Sequence, residues 1–203
     1  MGDRDLEIKA LEGFDLLYFG LVDAGTIENI LSAYSRSCKE SLSHLDITER
    51  NFDDGDMSIT IFEIFCFTTF LITQISKFYI EKYYQKIDSI ENAVEVFNNN
   101  IIDTLNEFFI VNDIYPVTEK VVIAITPQIK FGDGANLSAK DRISEYCSLS
   151  SSGEGREAER FGKNLGKALD AKHYPIFEII GGCFMLDLIE MVKTILSGLF
   201  TDA

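Results

Sequence analysis

Along most of this chain, apolar residues recur at intervals of three and four, the spacing that lines one face of an α-helix. Leu6, Ala10, Phe14, Leu17 and Leu21 mark a first stripe, closed by Asp-Ala-Gly at 23–25. Thr26 is placed to cap a second helix, whose stripe is Ile27, Ile30, Leu31, Tyr34, Cys38 and Leu42. The polar stretch 46–56, with Asp-Asp-Gly inside it, reads as a loop. Ser58 then caps a long helix ending near Lys86. Its first residues alternate like a strand, but the length of the apolar run favours the helix. A further helix opens at 88–89 and turns Ile90, Val94, Phe97, Ile101, Leu105 and Phe108 inward.

The middle of the chain breaks this rhythm. Residues 120–126 (KVVIAIT) form a β-branched run between Pro116 and Pro127, which fits a buried strand or one short helix. A turn-rich loop at 131–135 precedes a short helix over 138–147. Residues 148–155 (SLSSSGEG) have linker composition and are expected to form a flexible loop. A polar helix follows over 156–172. Pro175 then suits the first turn of a last helix with Phe177, Ile180, Phe184, Leu188, Met191, Ile195 and Leu199 on its apolar face. The expected architecture is mainly α: a single domain over 1–203, built as a bundle of about six to seven helices. At most a minor short strand pair near 120–131 accompanies them.

Composition narrows the setting. With 203 residues, 46% of them apolar and 25% charged, the chain has ordinary globular usage and needs no metal or disulfide to hold a core. The most apolar stretch, 59–80, is cut by Glu63 and Lys77, which leaves 13 uncharged residues from 64 to 76. A bilayer span needs about 20, so a buried core helix and no membrane insertion are expected. The first twenty residues carry Asp3, Asp5, Glu7, Glu12 and Asp15, unlike a secretory signal. Cys38, Cys66, Cys147 and Cys183 are scattered with no CxxC, in keeping with reduced thiols and a cytoplasmic location.

Charge adds the strongest functional constraint. Eighteen bases against 33 acids give −15, which disfavours binding to a phosphate backbone or to anionic lipid. Residues 1–119 carry −14 of this and 120–203 only −1. The densest block, 40–63, sets seven acids against Arg50 alone, and Asp46, Glu49, Asp53, Asp54 and Asp56 are its candidate docking acids. Opposite in sign, Arg156, Arg160, Lys163 and Lys167 fall at i, i+4, i+7 and i+11, one basic stripe on one helix face. Gly162 and Gly166 on the same helix invite close approach of another backbone.

Catalytic signatures are weak. The only histidines are His44 and His173, with no HExxH and no zinc-spaced Cys–His cluster. An EF-hand template anchored on Gly55 or Gly134 puts Arg50 or Ile129 at its first ligand position and fails. Neither Gly162-Lys163 nor Gly166-Lys167 completes a phosphate loop. A Cys147–His173 pair depends wholly on folding.

The expected function is therefore a non-enzymatic, acidic, cytoplasmic protein-binding module without a cofactor. Adaptors, secretion-type chaperones, immunity proteins and inhibitors are of this kind. Its partner would be another protein with a basic surface or segment. The competing expectation is an enzyme or ligand-binding bundle with an inter-helix apolar pocket near Glu63, the odd carboxylate on an apolar helix, whose pKa burial would raise.

Overall fold

A computed structural model describes residues 3–23, 57–83, 89–111, 129–130, 136–153, 155–168 and 174–201, and they form an all-α bundle. The expected second helix over 26–42, the acidic loop over 46–56 and the run 120–126 lie outside the described residues. Six α-helices are described: α1 (Asp3–Tyr18), α2 (Met57–Tyr83), α3 (Ile90–Val111), α4 (Ala139–Ser151), α5 (Arg156–Ala168) and α6 (Tyr174–Thr201). A π-helical turn, Phe19–Asp23, prolongs α1. Extended pairing among the described residues amounts to Ile129–Lys130 against Asn136–Leu137, antiparallel and too short to add a layer.

The long apolar run becomes the axis of the bundle. Every residue of α2 from 62 to 73 is buried, so this helix has no solvent face there. A helix apolar on all sides belongs at the centre of a core. Accordingly α3, α4, α5 and α6 all pack on it, and α1 closes the outside of α3 and α6. One apolar cluster takes residues from all six helices. By length and composition Ile61–Tyr83 is the one described helix that would reach across a bilayer, but 72% of its most apolar window lies buried inside the bundle.

Aromatic rings fill the space around α2. Phe65 lies 5.9 Å from both Phe108 and Phe109 of α3, and Phe62 lies 5.2 Å from Phe109. Phe14 of α1 reaches the same group through Phe108, at 5.3 Å. Elsewhere the helices need small residues. A Cβ at Gly13 would stand 3.0 Å from Leu199 Cδ1, and one at Gly20 would stand 3.3 Å from Met191 Sδ. Glycine at these two places lets α1 lie close along α6. Gly162 and Gly166 are likewise buried on α5, whose contact with α6 is the most extensive between any two helices described.

The helix ends follow from short polar residues. Ser138 Oγ accepts from the Asp141 amide at 3.1 Å while the Asp141 carboxylate accepts from the Ser138 amide at 3.3 Å, a reciprocal cap that starts α4. Ser89 caps α3 through the Asn92 amide, at 3.2 Å. The far end of α4 differs from the expected loop at 148–155, because 148–151 continue the helix. Ser148 and Ser151 donate to the carbonyls of Ser144 and Cys147, hydrogen bonds that make serine compatible with the last turn. The chain then turns at Gly153 and Gly155, whose φ values of 71° and 63° lie in the left-handed region.

Because the Ser138–Asp141 cap sets where α4 begins, Ser138→Ala should lower stability by about 1 kcal/mol, read as a shifted urea midpoint at unchanged slope. No shift would show that α4 is held by its packing alone.

Candidate functional site

The polar centre of the molecule is built on Glu63, which is wholly buried on α2. Its neighbours on that helix are core residues, so its partners must come from other elements. They come from α4 and α5. The cap at Ser138 sets the phase of α4, and Arg142, Glu145 and Tyr146 then share one face at i, i+3 and i+4. Asn164 reaches in from α5, between the buried Phe161 and Leu165. Ring packing steadies this corner: Phe161 stacks on Phe67 at 4.1 Å, and Tyr146 meets Phe67 edge-on at 5.1 Å.

The two carboxylate oxygens of Glu63 are held differently, Oε1 by an ion pair without a hydrogen bond and Oε2 by two hydrogen bonds. Oε1 faces Arg142 Nη2 at 3.0 Å. Oε2 accepts from the Tyr146 hydroxyl at 2.9 Å and from Asn164 Nδ2 at 3.3 Å. The Asn164 amide donates also to the Tyr146 oxygen, at 3.1 Å. Arg142 turns its other terminal nitrogen to Glu145, which also accepts from Arg160 Nε at 2.6 Å. The result is a file of alternating charge, Glu63–Arg142–Glu145–Arg160, whose side-chain exposure rises from 0% through 6% and 27% to 39%. It is neutral in sum and reaches water only at its outer end.

Burial dominates the electrostatics. It pushes the Glu63 carboxyl above its ordinary range, against the pull of Arg142, Tyr146 and Asn164, all of which favour the anion. Burial also disfavours charge on Arg142, but Glu63, Tyr146 and Glu145 outweigh it and hold the guanidinium protonated. The Tyr146 phenol and the Cys66 thiol are pushed well up by burial, with the Glu63 charge adding to it. Burial raises the half-buried Cys147 thiol too. Neither described thiol that is free, Cys66 or Cys147, is set up as a thiolate nucleophile. His44 and His173 lie outside the described residues. Among the described residues, no group of three His, Cys, Asp or Glu side chains is placed to hold a metal ion.

The structure separates the residues singled out from the sequence. Asp46, Glu49, Asp53, Asp54 and Asp56 lie outside the described residues. On α5, Arg160 joins Glu145, Lys163 pairs with Glu159 one turn earlier, and Arg156 is exposed. Lys167 lies on α5 as expected, but its side chain is outside the described set. The Lys163 hydrogen bond holds the Glu159 carboxyl below its usual range. Sequence reasoning found Glu63 but missed Arg142, Tyr146 and Asn164. A buried carboxylate requires a cation, and Arg142 stands one turn into a capped helix with Tyr146 four residues on, which is the signal that was available.

Fold and site together define a helical bundle whose central helix is pinned by a buried ionic network, in which Glu63 Oε1 and Arg142 Nε are left without a hydrogen bond. Comparison with protein-family models, with curated proteins and with solved structures finds no match.

Two outcomes follow from the geometry. Arg142→Met leaves the Glu63 carboxylate buried without its cation and should cost about 3–5 kcal/mol in urea unfolding. Adding Glu63→Leu should recover part of that loss, with a coupling of about 1–3 kcal/mol between the two sites. Strict additivity would show that the pair does not act as a unit. The second concerns pH. Since the folded-state pKa of Glu63 exceeds the unfolded 4.5, the folded protein holds the extra proton, and the stability this group contributes is full below 4.5 and lost as pH rises through the folded value. The stability of the native chain relative to Glu63→Gln should therefore fall as pH rises from 4.5. A relative stability that climbs over that range would mean that Arg142 outweighs burial.

Proposed function

We propose that this protein is a non-enzymatic, acidic protein-binding module of the cytoplasm, an adaptor, chaperone, immunity protein or inhibitor in kind, and that its partner is a protein with a basic surface. The observation that carries this reading is where the charges point. Arg142, Arg160 and Lys163 are turned onto carboxylates of the chain itself, and Lys9 donates to the Leu199 carbonyl and lies over the Phe200 ring. Carboxylates meanwhile face water: Asp3, Glu7, Glu12 and Asp15 on α1, and Glu91, Glu95 and Glu107 on α3, are all exposed. An outward acidic excess on a chain of net −15 accelerates encounter with a basic partner and repels nucleic acid.

The ligand-pocket reading has less support. It needs Glu63 to present an oxygen to a guest, yet Oε2 already accepts from Tyr146 and Asn164, and Oε1, although it accepts no hydrogen bond, is wholly buried against the Arg142 guanidinium. Such a group behaves as structural.

Affinity capture from native lysate over a salt series tests the proposal. A stoichiometric basic partner should be retained near 0.05 M salt and released by about 0.5 M, where the screening length falls to a few ångströms. Retention of nothing at low salt, or of partners indifferent to salt, would overturn it.

A further inference from the structure

The outward side of α1 carries more than charge. Its inward side is the stripe Leu6, Ala10, Phe14, Leu17 and Leu21, all buried. On the opposite side stand Ile8, Leu11 and Leu16, 46%, 51% and 42% exposed, with Phe19 following at 53% in the first residue of the π turn. Six large apolar side chains are exposed among the described residues, and these are four of them. Single exposed apolar residues are ordinary, but a file of four along one helix is not. Folding does not require them, because the core is filled from the other side and any good helix former would serve outside. Phe19 is steadied edge-on against Tyr18 at 5.8 Å.

Glu12 and Asp15 stand exposed within the same file. We propose that Ile8, Leu11, Leu16 and Phe19, with Glu12 and Asp15 between them, are the docking surface for a basic amphipathic helix of another protein. This rests on the protein-binding reading above and gives it a location and a partner chemistry. The file from Ile8 to Phe19 runs about 16 Å, three turns, which matches the anchors a partner helix presents at i, i+3 or i+4 and i+7. Its carboxylates fit Lys or Arg flanking those anchors.

Charge decides among the occupants. A second copy would bring Glu12 and Asp15 against carboxylates of the same face, inside a dimer of two chains at −15 each. Residues 24–56 of this chain carry −4 and have the wrong sign as well. An anionic lipid surface is repelled by the same carboxylates.

The test uses the full chain and a defined probe, a labelled 18-residue peptide of Leu and Lys with Leu at helical spacing, beside a scrambled peptide of identical composition. Fluorescence anisotropy near 0.15 M salt should show the patterned peptide binding at least about tenfold more tightly. Leu11→Ser combined with Phe19→Ser should weaken it about tenfold with the urea midpoint unchanged. Glu12→Lys with Asp15→Lys, which keeps the apolar residues, should weaken it to a similar degree. Glu91→Gln with Glu95→Gln on α3 should leave it within about threefold. Equal binding of both peptides, unaffected by the α1 substitutions, would overturn this surface while leaving an acidic binding module intact. Binding of neither peptide at low salt would overturn both. A fall in stability on replacing Leu11 and Phe19 would show that the chain covers this face itself. Self-association lost in that variant would show a second copy there. Either result overturns the basic helix as its occupant.

Discussion

A carboxylate at the middle of a bundle must be compensated where it stands. Glu63 sits on the helix that every other helix but α1 packs around, and an ion so placed costs several kcal/mol unless partners surround it. Two neighbouring helices supply them, Arg142 and Tyr146 from α4 and Asn164 from α5. Apolar packing tolerates small slips between helices, whereas two hydrogen bonds to one particular oxygen and an ion pair at the other do not. Turning α4 by a single residue would swing Arg142 about 100° away and leave Glu63 without its cation. The cap at Ser138 and the stack of Phe161 on Phe67 both serve the same placement.

The same network shapes the surface. Because it pairs two acids with two bases, it leaves the net surface charge to the helices around it, where the carboxylates of α1 and α3 face water. A second polar seam works more locally: Ser76 donates to Asn98 at 2.8 Å and Asn98 to the Thr73 carbonyl at 3.2 Å, tying α2 to α3 without any charge.

Periodicity made much of this fold legible. The stripe of α1, the inward Phe97, Ile101 and Leu105 of α3, and the face of α6 through Leu188 and Leu199 are all buried as their spacing predicts. What the pattern left hidden was pairing over long sequence separation. Glu63 was conspicuous, but nothing local to it names Arg142, because that contact exists only once α4 is wound and seated. The serines at 148–151 misled for a related reason: their composition suits a linker, yet the hydroxyls of Ser148 and Ser151 return to carbonyls of their own helix. The outward file on α1 was disguised by the acids interleaved with it, which make the helix look merely solvated.

The span of the Glu63 contacts along the chain bears on how the protein is made. Tyr146 follows Glu63 by 83 residues and Asn164 follows it by 101. At about 5–20 residues per second, a ribosome needs roughly 4–17 s to reach even the first of these after Glu63 has been added. During that interval α2 has none of the helices that later bury its α4, α5 and α6 sides. The nascent chain then offers a long greasy segment with one bare carboxylate near its start, the kind of sequence that general holding factors bind and that membrane-targeting machinery inspects.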